Sequence, residues 1–95
     1  MIMVKVHRTD GRVVVALCDN NLIGQKFESG DLRLDITERF YKGEQLKNDD
    51  MATISNASSL NVVGKESVGF ALKHKLINKE NIIKVGRVPY AIALL

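Results

Sequence analysis

The stretch Ile2-Met3-Val4-Lys5-Val6-His7-Arg8-Thr9-Asp10-Gly11-Arg12-Val13-Val14-Val15-Ala16-Leu17-Cys18 decides the fold. Ile2 to Arg8 and Arg12 to Cys18 are β-rich runs joined through Thr9-Asp10-Gly11. Asp-Gly is favoured in two-residue hairpin turns because both central positions take positive φ. If Thr9 faces Arg12, Val6 meets Val15, Val4 meets Leu17, His7 meets Val14 and Met3 meets Cys18. The second run is apolar on both faces, which predicts a central strand covered from both sides.

Downstream of this hairpin, Asp19-Asn20-Asn21 reads as a turn cluster, because these side chains bond nearby backbone. Leu22 to Phe27 reads as a short extended piece, and Ser29-Gly30 as a second turn. Leu32-Arg33-Leu34-Asp35-Ile36 alternates as a strand with one wet face. Phe40-Tyr41-Lys42-Gly43 reads as a closing loop. Asn48-Asp49-Asp50 supplies a cap and first-turn acids for a short helix carrying Met51, Ile54 and Ala57. Leu60 to Val63 is β-prone. Lys65 to Lys75 is the stronger helix, with Val68, Ala71 and Leu72 on one face. Ile82 to Val85 and Tyr90 to Leu95 read as strands around Gly86-Arg87-Val88-Pro89, with Pro89 at an edge or bend. The element order gives an α+β fold, a mixed sheet of about five strands opening with a β-hairpin, with two helices packed on it.

Composition narrows the function classes. With 95 residues the chain has room for one core, so residues 1–95 are expected to form a single domain. One cysteine and one proline exclude a disulfide scaffold and a Cys-rich zinc module. Aromatic residues at 5% without Trp argue against a large single-strand stacking platform. The net charge of +3 is compatible with an anionic partner such as RNA and equally with an ordinary solvated surface. No targeting or membrane-spanning stretch is visible, which points to a cytoplasmic protein with no membrane partner.

The chemistry-bearing residues are sparse. His7, His74 and Cys18 fall on separate elements, so no metal site is implied. On the hairpin register His7 and Cys18 stand about 13 Å apart at 3.3 Å per residue, beyond proton-transfer reach. Cys18 is therefore expected to be a small buried hydrophobe. Val63-Gly64-Lys65-Glu66-Ser67 superficially resembles a nucleotide loop. It lacks the first glycine, where Ser59 stands, and Glu66 replaces the hydroxyl residue that would hold magnesium. The same joint does carry an anion-binding reading: if a helix starts at Gly64, its free N–H groups, the Asn61 amide and the Lys65 charge form a candidate site. The competing reading makes Gly64 a sterically required turn and Asn61 a backbone-bonding residue. The carboxylates are scattered, and adjacent Asp49-Asp50 do not face each other on a helix, so no catalytic residues are assigned.

Taken together, His7-Arg8, Ala16-Leu17-Cys18-Asp19, Leu22-Ile23-Gly24, Phe40-Tyr41-Lys42-Gly43, Asn61 to Val68 and Val88-Pro89-Tyr90-Ala91 resemble one family over nearly the whole chain. This is the small archaeal family called domain of unknown function 424. Tyr90 departs from it, standing where the family pattern carries a histidine. The resemblance implies a non-catalytic RNA-binding protein of translation or RNA handling, with RNA or a ribonucleoprotein as partner and no cofactor. The residues suited to that role are Arg8 and Arg12 at the hairpin tip, and Tyr41 beside Arg39 and Lys42. Basic groups would meet phosphates, and an exposed tyrosine would stack on an unpaired base. Phe40 is expected inside and Tyr41 half out. Two alternatives stay open: a ligand-binding protein or enzyme using the Asn61–Lys65 joint, and an assembly subunit. In the latter, a homo-oligomer among its forms, the apolar Tyr90–Leu95 strand would complete a partner's sheet.

Overall fold

In the computed structural model, which describes residues 1–95, β1 (Ile2–Thr9) and β2 (Arg12–Asp19) pair antiparallel. Val6 lies opposite Val15, His7 opposite Val14 and Thr9 opposite Arg12, the register expected from the turn. Asp10 and Gly11 both have positive φ (51° and 76°), as a type I′ turn requires.

The remaining elements follow as β3 (Lys26–Ser29), β4 (Leu32–Asp35), α1 (Glu38–Tyr41), β5 (Glu44–Gln45), α2 (Asp50–Ser55), β6 (Ser59–Val63), α3 (Lys65–Lys73), β7 (Ile82–Val85) and β8 (Val88–Leu94). The main sheet has the order β5-β1-β2-β6-β8-β7, and β3 and β4 form a separate hairpin. Only β2 and β6 run parallel, with Cys18 beside Val63 at their carboxyl ends. The fold is α+β.

β2 and β6 are buried on both faces, and this follows from their sequences. On one face Val15, Leu17, Leu60 and Val62 are fully buried against Ile54 of α2 and Val68 and Ala71 of α3. On the other, Ala16, Cys18 and Val63 pack under Leu34 and Ile36 of the β3–β4 arm and Tyr41 of α1. Each fully buried Val, Leu or Ile contributes about 1.5–3 kcal/mol relative to exposure. No helix is long and apolar enough to cross a membrane.

Several expectations are corrected. The main sheet has six strands because Glu44–Gln45, too short to show a pattern, adds to β1 through Met3 and Val4. The extended piece at 22–27 is instead a 3-10 turn at Asn20–Leu22 followed by β3 from Lys26. A third helix replaces the loop at Phe40–Tyr41: Thr37 Oγ1 accepts the Phe40 N–H at 3.2 Å and starts a single turn that has no periodicity to read. Pro89 lies neither at an edge nor in a bend. It sits in β8, between β6 and β7. Its carbonyl accepts the Gly64 N–H at 2.9 Å, so its nitrogen faces the same side, past the last β6 pair, Val63 with Tyr90, where no ladder donor is needed. β8 is an inner strand over most of its length, since Tyr90–Leu94 pairs with β6 and Val88–Ala91 with β7. This confines the strand-donating assembly reading to the side of Ile92–Leu94 that β7 does not reach.

α3 stops at Lys73, two residues before its expected end. The Leu76 N–H donates to the Ala71 carbonyl (2.8 Å) and the Lys75 N–H to that of Leu72 (3.1 Å), a Schellman end with Lys75 at φ 59° where glycine is usual. Lys75 is exposed, so Lys75→Gly removes left-handed strain and is expected to stabilise the protein by about 0.5–1 kcal/mol. Chemical denaturation measures this, and a loss of stability would show that the Lys75 side chain contributes more than its backbone strain costs.

Candidate functional site

The parallel pair brings the ends of β2 and β6 together, and the chain leaves β6 directly into α3 through Gly64. Asp19, the last residue of β2, reaches across this joint. Its carboxylate accepts the N–H groups of Glu66 (3.1 Å) and Ser67 (2.8 Å) and the Ser67 hydroxyl (2.7 Å). Asp19 and Ser67 are both buried. The helix N-terminus therefore already holds an anion, one belonging to the protein itself. Gly64 is required here because it has φ 104° and a Cβ on it would overlap the Asp19 carboxylate. Of the N–H groups at this helix start, those of Gly64, Glu66 and Ser67 are thus engaged internally, by the Pro89 carbonyl and Asp19, which narrows the anion-binding reading to Lys65.

Asn61 does not belong to this joint. Its Oδ1 accepts the Tyr41 hydroxyl at 2.7 Å on the sheet face opposite α3. Tyr41 is buried, so it is no platform for a base. Burial, then the neighbouring Tyr90 and Cys18, push its hydroxyl well above the ordinary tyrosine range. Cys18 is fully buried beside it, and burial followed by the Asp19 charge pushes its thiol up to about 12. It stays protonated at neutral pH and is not a nucleophile. No three His, Cys, Asp or Glu side chains come together as metal ligands.

Beside the Asp19 joint lies a cleft of about 220 Å³ bordered by Lys65, Arg87, Asn21 and Pro89. Lys65 and Arg87 are exposed, and neither makes an ion pair. Arg87 comes from the β7–β8 turn, a position with no local motif to mark it.

A second basic region lies on the α1 side of β1. His7 and Phe40 stack with ring centroids 4.5 Å apart and an interplanar angle of 13°, and His7 Nε2 lies 2.9 Å from the Phe40 carbonyl. Both rings are half-buried. With Lys5, Thr37 and Arg39 they line an open cleft of about 350 Å³. Lys5 Nζ donates to the Arg39 carbonyl at 2.6 Å. Arg12, opposite Thr9, shares this face by strand alternation, and Lys42 is exposed at the end of α1. Arg8 has the opposite parity and lines a groove with Ala52 and Asn56 beside α2. The structure thus separates Arg8 from Arg12 and exchanges the expected places of Phe40 and Tyr41, the tyrosine going inside. The stack has no local signal in the sequence, because His7 and Phe40 lie 33 positions apart.

A family model described as a protein of unknown function, DUF424, matches residues 7–95. The chain belongs to the DUF424 family. The DUF424 match spans the Asp19 joint, the His7–Phe40 stack and the Arg87 turn together. A crystal structure of an uncharacterized conserved protein from Methanopyrus kandleri is similar in fold, with a TM-score of 0.78 and 24% identity. The alignment covers 97% of this DUF424 chain and 89% of that one. No curated protein matches the chain.

Proposed function

We propose that this DUF424 protein binds RNA, without catalysis, through the α1 side of β1. The observation that carries the reading is the half-buried His7–Phe40 stack set among Lys5, Arg12, Arg39 and Lys42. Unpaired bases stack on aromatic faces, and flanking cations track the phosphates. Phe40 takes the role that Tyr41 was expected to fill. Arg39 lines the cleft beside the ring, and Lys42 follows as the exposed C-cap residue of α1.

Replacing Arg12, Arg39 and Lys42 together by Gln is expected to weaken binding by a similar factor across RNA sequences. It should also flatten the dependence of log K on log salt by about two units, at roughly 0.7 per phosphate contact on a single strand. Arg8→Gln, on the opposite face, should leave the slope unchanged. Folding should be retained, because exposed charges contribute little to stability. The measurement is fluorescence anisotropy near physiological salt with single-stranded and structured RNAs, since any protein of charge +3 attracts RNA at low salt. Absence of wild-type binding there, or an unchanged slope in the triple variant, would remove the reading.

A further inference from the structure

We propose that the cleft between Lys65 and Arg87 binds the 5′-phosphate of a nucleotide, with the base lying toward Phe27. The site is separate from the RNA-binding face and shares no residue with it. From the start of α3 it draws only Lys65, since the Glu66 and Ser67 donors are engaged by Asp19.

Three observations converge on it. First, two cations from different elements, Lys65 at the start of α3 and Arg87 in the β7–β8 turn, border one cleft and have no ion-pair partner. Two cations bordering one concavity make its potential favourable to an anion. The Asp19 carboxylate lines the same cleft, but it is buried and turned to its donors in α3. Glu66 pairs with the Met1 amine at 2.6 Å, and Asp19 is held by three hydrogen bonds from α3. A guanidinium and an ammonium bordering one cleft suit phosphate, which accepts the fork of the first and the point charge of the second.

Second, the cleft continues into a second one of about 490 Å³ that shares Asn21, Leu22, Arg87 and Val88 with it and adds Gln25, Phe27 and Gly86. The first cleft alone is too small for a whole organic ligand, which usually needs about 300–1,000 Å³, but it suits a phosphate with a few further atoms. The second has the size of the rest of a nucleotide.

Third, the second cleft has the chemistry to recognise a base. Phe27 is half-buried there and offers an aromatic surface. Gln25 Nε2 donates to the Asn21 carbonyl at 2.6 Å, which fixes the orientation of the amide and leaves its oxygen free to accept from a base amino group. Arg87 stands where the clefts meet, at the position of the link between phosphate and nucleoside.

The test is an NMR titration of the full ¹⁵N-labelled chain with inorganic phosphate, AMP, adenosine, and a short oligoribonucleotide carrying either a 5′-phosphate or a 5′-hydroxyl. Phosphate is expected to shift the amides of Lys65 and Arg87 saturably. AMP should shift these and also Gln25 and Phe27, and bind more tightly than phosphate or adenosine. Arg87→Gln and Lys65→Gln change exposed residues and should keep the native spectrum, yet each should weaken AMP by about ten-fold or more. If the 5′-phosphorylated oligonucleotide competes with AMP and its 5′-hydroxyl form does not, the ligand is an RNA terminus. If AMP alone binds, it is a free nucleotide. Shifts spread over all basic residues without saturation, AMP affinity unchanged in both variants, or phosphate shifts with no added effect of the nucleoside at Gln25 and Phe27 would each overturn the proposal.

Discussion

Asp19→Ala is expected to destabilise the protein by about 3 kcal/mol. The substitution removes a small side chain, and by area alone it should be mild. What it takes away is the shared acceptor of three donors. Ser67 is fully buried, so its N–H and its hydroxyl would both lose their partner without access to water. Each buried group left unpaired costs about 1–3 kcal/mol. Glu66 is exposed, so its N–H can turn to solvent and adds little. Loss of a helix cap at about 1 kcal/mol comes within the same figure and is not added to it. Asp19→Asn keeps one acceptor oxygen but turns an NH₂ group toward a donor, so it should fall about midway. Urea titration with unchanged slope measures both. A cost below about 1 kcal/mol for the alanine variant would mean that α3 does not depend on this carboxylate.

The effect should not stay local to the cap. Lys65 is the first residue of α3, and its place at the cleft is set by the turn that Asp19 holds. Fraying of that turn would release Lys65 while leaving Arg87, on the β7–β8 turn, where it is. The cap is thus the point at which stability and the proposed phosphate site are joined. An Asp19 variant that stays folded should resemble Lys65→Gln more than Arg87→Gln in the titration.

Features whose causes are local were legible in the sequence. The β1–β2 register follows from Asp10-Gly11 and the alternation around it. The double burial of β2 follows from Val13 to Cys18 being apolar at every position. The start of α3 at Lys65 follows from Gly64. What could not be read are contacts between residues far apart in the chain. Asp19 looked like part of a turn cluster because its partners, Glu66 and Ser67, lie 47 and 48 positions away. Asn61 looked like a member of the helix joint because it is close in sequence, yet the two-residue period of the strand turns it to the other face, toward Tyr41. Phe40 and Tyr41 both carry rings, and only the direction of the single turn after Thr37 decides which one enters the core. Pro89 broke the edge rule because β6 ends one pair before it, and strand ends set by a partner have no signature in the strand itself.

Gly64→Ala should have a larger effect than Asp19→Ala, about 4 kcal/mol or more, although it adds one methyl group. Two causes combine. Gly64 has φ 104° and ψ 158°, a region occupied almost only by glycine, where another residue costs about 1–3 kcal/mol. The new Cβ would also overlap the Asp19 carboxylate, which is pinned from the opposite side by Ser67. Neither group can yield freely. Gly64 is held by its N–H to the Pro89 carbonyl and by its own carbonyl, which accepts the Val68 N–H at 2.8 Å. Relief therefore requires Asp19 to leave its donors, and the variant loses the cap as well as paying the backbone strain. For a domain of this size, whose whole stability is about 5–15 kcal/mol, that is enough to populate the unfolded state measurably. The two causes can be separated by a double-mutant cycle. In the Asp19→Ala background the carboxylate is absent and the cap already lost, so adding Gly64→Ala should cost only the backbone share, about 1–3 kcal/mol. Additive costs in the double variant would show that the methyl group does not meet Asp19, and that strain at Gly64 alone makes glycine necessary there.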